Sequence, residues 1–319
     1  MLNWLVVGIG DIATKRVIPA IEEEARSALY GLVTRDPSKA EPYGCKAWSR
    51  LDEALADPAI GAVYVATPVA LHVEQTIAAM KAGKDVLCEK PVALNYREAQ
   101  RVVEAGEETG RKLGIAYYRR LYPKVERARR LMAEGAIGRP VLAEINCGEH
   151  FVAESGFRSW LLDPAMAGGG PLYDIGSHRI DLLNHLFGNP VRACGQISNV
   201  VNDTAVEDCA TVLVEYESGV RGIVDVRWNS QVARDGLRIL GTEGELDLTP
   251  LNGPDLVHPG GKEEIPCHPN VHYPCVENFV DHLLDGAPLA APAHRAIRTD
   301  WVTAQVMAAH AEDRYLYLR

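Results

Sequence analysis

The sequence has no unbroken apolar run long enough to span a bilayer. Repeats and low-complexity linkers are absent. Positive charge is in the minority. The 33 Lys and Arg residues stand against 43 Asp and Glu, a formal net charge of -10. That balance argues against a nucleic-acid backbone or an anionic membrane as the main partner. It still permits an anionic cofactor held by local backbone amides. The seven cysteines are scattered and odd in number. They point away from a disulfide framework and toward reduced thiols in a cytoplasm. The first residues, MLNWLVVGIGD, lack a basic n-region and reach a glycine turn early, so they do not read as a signal peptide. CHPNVHYPC holds Cys267, His268, His272 and Cys275, yet it matches no zinc spacing and two prolines break it. It reads as a loop leading into a helix near Val276, and no metal is expected.

Hydrophobic residues make up 47% of the 319 and charged residues 24%, which is ordinary globular composition at a length that suggests two domains. The first part alternates strand and helix. Strands are expected at 2–7, 29–34, 61–67, 85–91 and 112–118, and helices at 17–28, 51–58, 72–83 and 96–110. This alternation predicts a doubly wound parallel sheet, an α/β Rossmann domain over residues 1–118. After a helix at 123–134 the pattern changes to strands at 139–151, 192–201, 207–219, 220–228, 237–241 and 244–248, with YESGVRG as a hairpin turn. Short connections predict an antiparallel sheet, hence an α+β domain over residues 119–319 that ends in helices from Val276 to Leu318.

VVGIGDIA places Gly8, Gly10 and Ala13 as G-x-G-x-x-A after a strand and before a helix, the context of a dinucleotide fingerprint. Gly8 permits the tight turn, Gly10 a close backbone approach to pyrophosphate, and Ala13 close packing of helix on strand. Asp11 and Ile12, at the helix start, complete the expected contact with the phosphates. At the end of the second strand, where NAD sites place an acid for the ribose 2′-hydroxyl, LVTRDPSKA has Thr34, with Arg35 adjacent and Lys39 five residues on. A small hydroxyl and two cations suit a 2′-phosphate, so NADP is favoured over NAD. Asp36 would reverse that choice if the register shifted by one residue.

Further stretches carry Ala66, Thr67, Pro68 and His72, then Glu89-Lys90-Pro91. GFRSWLLDPAMAGGGPLYDIGSH follows, with Gly168 to Gly170, Asp174 and His178, and LRILGTEGELDL adds Gly241 and Gly244. In order and spacing the chain resembles the glucose–fructose oxidoreductase / inositol dehydrogenase / MocA family over nearly its whole length. The resemblance implies a Rossmann domain followed by an open, mostly antiparallel sheet, with the substrate between them against the nicotinamide. It also implies NAD(P)-linked oxidation or reduction of a sugar, sugar derivative, cyclitol or related polyol. Ala66 to Pro68, His72, Glu89 and Lys90 are expected at the cofactor, and Lys90, Asp174 and His178 around the reacting carbon. A homodimer or homotetramer through the open sheet is expected as well.

The residues suit that chemistry. A histidine can take or give the hydroxyl proton near neutral pH, which makes His178 a candidate acid/base. Lys90 follows a strand that ends at the ligand-binding edge of a parallel sheet, where an ammonium polarises a carbonyl oxygen or stabilises an alkoxide. The acid/base role stays open between the two. Pro171 suits the first position of a helix. Asp174 then lies in its first turn, four residues before His178, placed to orient the imidazole. At about 100° per residue, Asp174, His178, Asp181 and His185 share about a sixth of the circumference. Periodicity alone reads this as a solvated face, and the half from Asp181 to Gly188 is expected to be a wet structural helix. Tyr118, Arg119 and Trp160 are expected at the substrate, with Tyr117, Arg158, His150, His272 and Tyr273 as weaker candidates. Two other readings stand beside a dehydrogenase: a tightly held nicotinamide used transiently in glycoside cleavage or epimerisation, and a non-catalytic cofactor sensor.

Overall fold

The computed structural model describes residues 1–151 and 158–312. Packing divides the chain into two units, one of residues 1–121 and 268–297, the other of residues 122–267 and 298 onward.

In the first unit, strands β1 (Leu2–Val7), β2 (Ser27–Val33), β3 (Lys46–Trp48), β4 (Ala62–Val65), β5 (Asp85–Cys88) and β6 (Leu113–Ile115) form one parallel sheet in the order β3-β2-β1-β4-β5-β6. A parallel sheet is covered on both faces, which is why AVYV and most of LNWLVV are apolar without alternation. Side chains still alternate by face. Leu5, Val7, Val63 and Val65 enter one apolar cluster, while Trp4, Val6, Ala62 and Tyr64 enter the other. The helices are α1 (Ile18–Glu23), α2 (Leu51–Leu55), α3 (His72–Lys81) and α4 (Tyr96–Thr109). The first helical segment begins at Asp11, directly after Gly10, and passes through a π-helical turn at Ala13–Val17 before α1. It starts six residues earlier than the apolar periodicity suggests and stops at Glu23, because Glu24 is already extended.

The second unit begins with α5 (Pro123–Ala133) and builds an eight-stranded sheet. Its elements are β7 (Pro140–His150), α6 (Pro164–Ala167), α7 (Ser177–Phe187), β8 (Pro190–Ser198), β9 (Cys209–Tyr216), β10 (Arg221–Arg227), β11 (Asn229–Gly241), β12 (Glu245–Asp247), β13 (Asp255–His258) and β14 (Gly261–Glu264). The order is β14-β13-β12-β11-β7-β10-β9-β8, antiparallel throughout except between β7 and β10. The β9–β10 hairpin closes as expected, with Gly219 at φ 82°. β11 is longer than its apolar end, and the β13–β14 hairpin is an addition. Helix α7 covers one face near Leu183 and Gly222. The opposite face exposes Leu213 and carries a groove of about 750 Å³ lined by Leu142, Leu213, Ile223 and Leu240, with Arg192, Glu215 and Arg221 beside them.

The chain then returns to the first unit with α8 (Tyr273–Asp285) and α9 (Ala293–Ala296), and closes in the second with α10 (Arg298–Ala311). The sequence suggests a single division near residue 119, whereas packing places 268–297 with the Rossmann sheet. Phe279 sets the reason: it is fully buried and lies 5.6 Å from the Trp4 ring. The last part of the expected helical end, residues 313–318, lies outside the described residues.

Candidate active site

The turn after β1 fits a dinucleotide. Gly8 sits at φ 94°, and a Cβ there would meet Thr67 at 2.9 Å and the Ala66 carbonyl at 3.0 Å, so the protein itself requires glycine. Gly10 differs. A Cβ there would meet nothing within 4 Å, so no packing in the chain explains it. Open space over a glycine at a helix start is what close approach of a pyrophosphate needs. Asp11 pairs with Lys15 at 2.6 Å, and Ile12 is half-buried against the apolar cluster below.

Thr34 follows the last residue of β2 and donates its N–H to Trp48 O. Arg35 and Lys39 are exposed. The Asp36 carboxylate turns back on its own loop, accepting from Ser38 N at 3.2 Å and Ser38 Oγ at 2.6 Å. The Ser38 bonds, chiefly the hydroxyl, hold its pKa below the usual value.

The Glu89-Lys90-Pro91 turn is fixed from several sides. Glu89 N–H donates to Val65 O at 2.9 Å, and the Lys90–Pro91 bond is cis. His72, fully buried, places Nδ1 2.9 Å from Pro91 O and Nε2 2.7 Å from Thr67 O, tying the Thr67-Pro68 loop to this turn. Thr67 Oγ1 bonds Gln75 at 2.7 Å. Glu89 is buried, accepts from Tyr64 Oη at 2.7 Å and lies 3.3 Å from His272 Nε2. Burial raises its pKa. His272, Tyr64 and the Lys90 ammonium more than offset that and hold it below the usual carboxylate value. Tyr118 packs on His272 with ring centroids 4.6 Å apart. Arg119 Nη1 donates to Tyr118 Oη at 2.7 Å and lies over its ring.

In the second unit the glycine run packs against Tyr173 and Glu207. A Cβ on Gly168 would meet the Tyr173 ring at 2.5 Å, and one on Gly170 would meet Glu207 O at 2.0 Å. Stripped of side chains, the run lets the buried Glu207 carboxylate accept from Gly170 N at 2.8 Å and Leu172 N at 3.0 Å. Two donors at the start of the helical segment are thereby satisfied. Leu172–Gly176 forms a second π-helical turn that runs straight into α7. Because a π turn holds more residues than an α turn, Asp174 is not at the angle that a uniform 100° gives. Asp174 accepts from Arg158 Nη2 at 3.1 Å, and Arg158 lies over the Phe151 ring.

His178 is 5% exposed. The wet face expected from periodicity is in fact covered. Asp181 is 1% exposed and Asn184 4%, with Thr299 on α10 near both, while His185 pairs with Glu126 at 3.1 Å. The reason is tertiary: α10 packs on α7, a partner that periodicity alone cannot reveal. Trp160 is half-buried against the Leu161, Val206 and Trp228 cluster. Lys90, Tyr118 and Arg119 belong to the first unit; Trp160, Asp174 and His178 belong to the second.

Among the described residues, no group of three or more His, Cys, Asp or Glu is placed to hold a metal ion, and no disulfide joins the cysteines. Also among them, no helix is long and apolar enough to cross a membrane.

Residues 2–117 match the family model described as an oxidoreductase family with an NAD-binding Rossmann fold, and residues 125–247 match the GFO/IDH/MocA C-terminal domain. The chain belongs to the GFO/IDH/MocA oxidoreductase family. It is 32% identical over 281 residues to a 1,5-anhydro-D-fructose reductase of Ensifer adhaerens, covering 84% of each chain. It is 27% identical over 284 residues to an NADP(+) D-xylose 1-dehydrogenase of Haloarcula marismortui, covering 83% of this chain and 78% of that one. A solved aldose-aldose oxidoreductase from Caulobacter crescentus, complexed with glycerol, superposes with a TM-score of 0.88 at 26% identity, covering 99% of both chains.

The protein is thus an NAD(P)-dependent oxidoreductase. The residues that its sequence does not advertise are the supporting ones. Glu207 lies in no motif, and its partners are backbone amides 35 and 37 positions away. Tyr64 reads only as an apolar strand residue. Arg158 was a candidate for the substrate, and its partner is Asp174.

Proposed function

We propose that this oxidoreductase transfers a hydride between NADP(H) and a polyhydroxylated compound, namely a sugar, sugar derivative, cyclitol or the corresponding keto form. The observation that carries the reading is His178: a nearly buried imidazole one turn beyond Asp174. Burying so polar a ring has a cost that a proton-transfer role justifies. Lys90 serves as electrostatic partner and second proton-relay candidate, and Asp174 bonds substrate hydroxyls and orients the imidazole. Gly8, Gly10 and the helix start at Asp11 would hold the pyrophosphate, with Ala66 to Pro68 and Glu89 near the nicotinamide. Thr34, Arg35 and Lys39 would receive the 2′-phosphate. The engagement of Asp36 with Ser38 supports NADP over NAD. The bound nicotinamide supplies the hydride acceptor or donor; proton movement and orientation fall to the side chains named.

The sugar names of the relatives support the substrate class. A second copy of the chain covers the outer sheet face as a homodimer, or in a homotetramer. The apolar groove carries Arg221 beside the Arg192–Glu215 ion pair, so its rim is charged and its floor apolar, as a two-fold contact requires. A cytoplasmic setting suits seven cysteines without a disulfide.

The test is a panel of polyols, sugars and keto-sugars with NADP(H) and NAD(H), followed by nicotinamide absorbance. His178→Ala and Lys90→Ala should each lower turnover by about 10²- to 10⁴-fold while cofactor still binds. Wild-type turnover in both variants refutes the mechanism. Conversion without net absorbance change, with cofactor retained through gel filtration, points to transient oxidation instead.

A further inference from the structure

His272 sits in the cysteine- and histidine-containing stretch before α8, a stretch that the proposed reaction leaves without a role. It is 2% exposed and faces Glu89, which is 6% exposed, while Tyr64 beside them is fully buried. His272 Nε2 lies 3.3 Å from the Glu89 carboxylate, within ion-pair distance but outside hydrogen-bond geometry. Tyr64 donates from the other side at 2.7 Å. Burial and the charge of Glu89 push the Tyr64 hydroxyl well above its ordinary pKa, so it keeps the proton that it donates. Burial and the same charge push the neighbouring Cys275 thiol up to about 12, so Cys275 stays neutral. A buried carboxylate is costly unless such partners hold it. The far face of the His272 ring packs on Tyr118, which in turn bonds Arg119. One imidazole therefore lies between Glu89, which precedes Lys90, and Tyr118, which bonds Arg119.

We propose that His272 is a positioning residue of the dinucleotide-binding unit: with Tyr64 it holds the buried Glu89 carboxylate in place beside Lys90, and its ring carries that fixed geometry to Tyr118 and Arg119. The proposal rests on the reading of Lys90 as the electrostatic partner in hydride transfer. A lysine beside a fixed carboxylate keeps its ammonium in one place, and a loosened carboxylate changes both the reactivity of the amine and its aim.

Two shape-preserving variants remove the two contacts to Glu89 singly. His272→Phe keeps a ring on Tyr118, and Tyr64→Phe keeps the packing on Trp4; if one fails to fold, the other carries the test. The activity-independent readout is the rate at which limiting acetic anhydride labels Lys90, measured by mass spectrometry against the remaining lysines. Each variant, and Glu89→Gln, should change Lys90 labelling by at least about threefold. Pairing either variant with Glu89→Gln should add nothing further, since the residues act through one group. Loss of either contact to the carboxylate should lower kcat about tenfold with KM nearly unchanged. Unchanged Lys90 labelling in both single variants overturns the proposal. A wild-type enzyme without nicotinamide-linked turnover sinks the hydride reading instead, and labelling then still decides the role of His272.

Discussion

Removing the Glu207 side chain tests whether the glycine run before α7 is held by a carboxylate. In Glu207→Ala, the N–H groups of Gly170 and Leu172 lose their acceptor in a place where both residues are buried. Leaving a buried donor unpaired costs about 1–3 kcal/mol, so two donors amount to roughly 2–6 kcal/mol. Part of that returns, because burial raises the Glu207 pKa against the lowering effect of those two N–H groups, which means the folded state bears a cost for its charge. A net loss of about 3 kcal/mol is expected, which for a unit of this size lowers its transition by about 6–12 °C. Calorimetry should resolve the second unit's transition, and a urea series should give the free energy. The pH dependence provides a second check. A carboxyl with a raised folded-state pKa binds its proton more tightly in the folded protein. Its contribution is therefore full below the ordinary value of 4.5 and is lost as pH rises through the raised one. Wild-type stability should fall across that window by more than the stability of Glu207→Gln does. A Glu207→Ala protein within about 0.5 kcal/mol of wild type, the scatter of an ordinary surface substitution, would refute the reasoning.

The two glycines of the first turn should behave oppositely. Gly10→Val should leave the melting temperature unchanged and abolish cofactor binding by titration calorimetry, whereas Gly8→Ala should destabilise the fold by about 1–3 kcal/mol through strain and contact with Thr67. Thr34→Asp combined with Arg35→Ala should move the ratio of NADP to NAD affinities by about 10- to 100-fold toward NAD, read by fluorescence titration. On the outer sheet face, Ile223→Lys with Leu213→Lys should convert the proposed homo-oligomer to monomer in sedimentation velocity while the secondary structure is retained.

The Rossmann half was largely legible because its signals are local: buried strands are short apolar runs, and the glycine turn needs its residue types at fixed positions. Edge strand β3 escaped, since KAW carries no pattern; its Trp48 covers Gly31, where a Cβ would meet the ring at 2.3 Å. The helical segment before α1 starts earlier than the apolar period indicates, because a π turn disturbs that period there. In the second unit, the motif and its spacing single out Asp174 and His178 as candidates. The burial of Asp181 and Asn184 was not, because α10 lies more than a hundred residues further on. Glu207 was invisible for a similar reason: its work is done on backbone amides, which every residue type possesses.

The assignment of residues 268–297 to the first unit sets the order in which a nascent chain can finish its parts. The six parallel strands emerge from the ribosome by residue 115, yet Cys275, Val276, Phe279 and Val280 are part of the cluster that covers Trp4 and Tyr64. Until α8 is synthesised, that face of the sheet lacks part of its cover, and Glu89 lacks His272. The intervening unit, contiguous from Tyr122 to Cys267 apart from α10, is made in the meantime. A fragment ending at Leu121 would therefore display an apolar face to chaperones and aggregate, whereas residues 1–121 joined by a short linker to 268–297 carry the whole cluster. The nucleotide-binding half is begun first in synthesis and completed late.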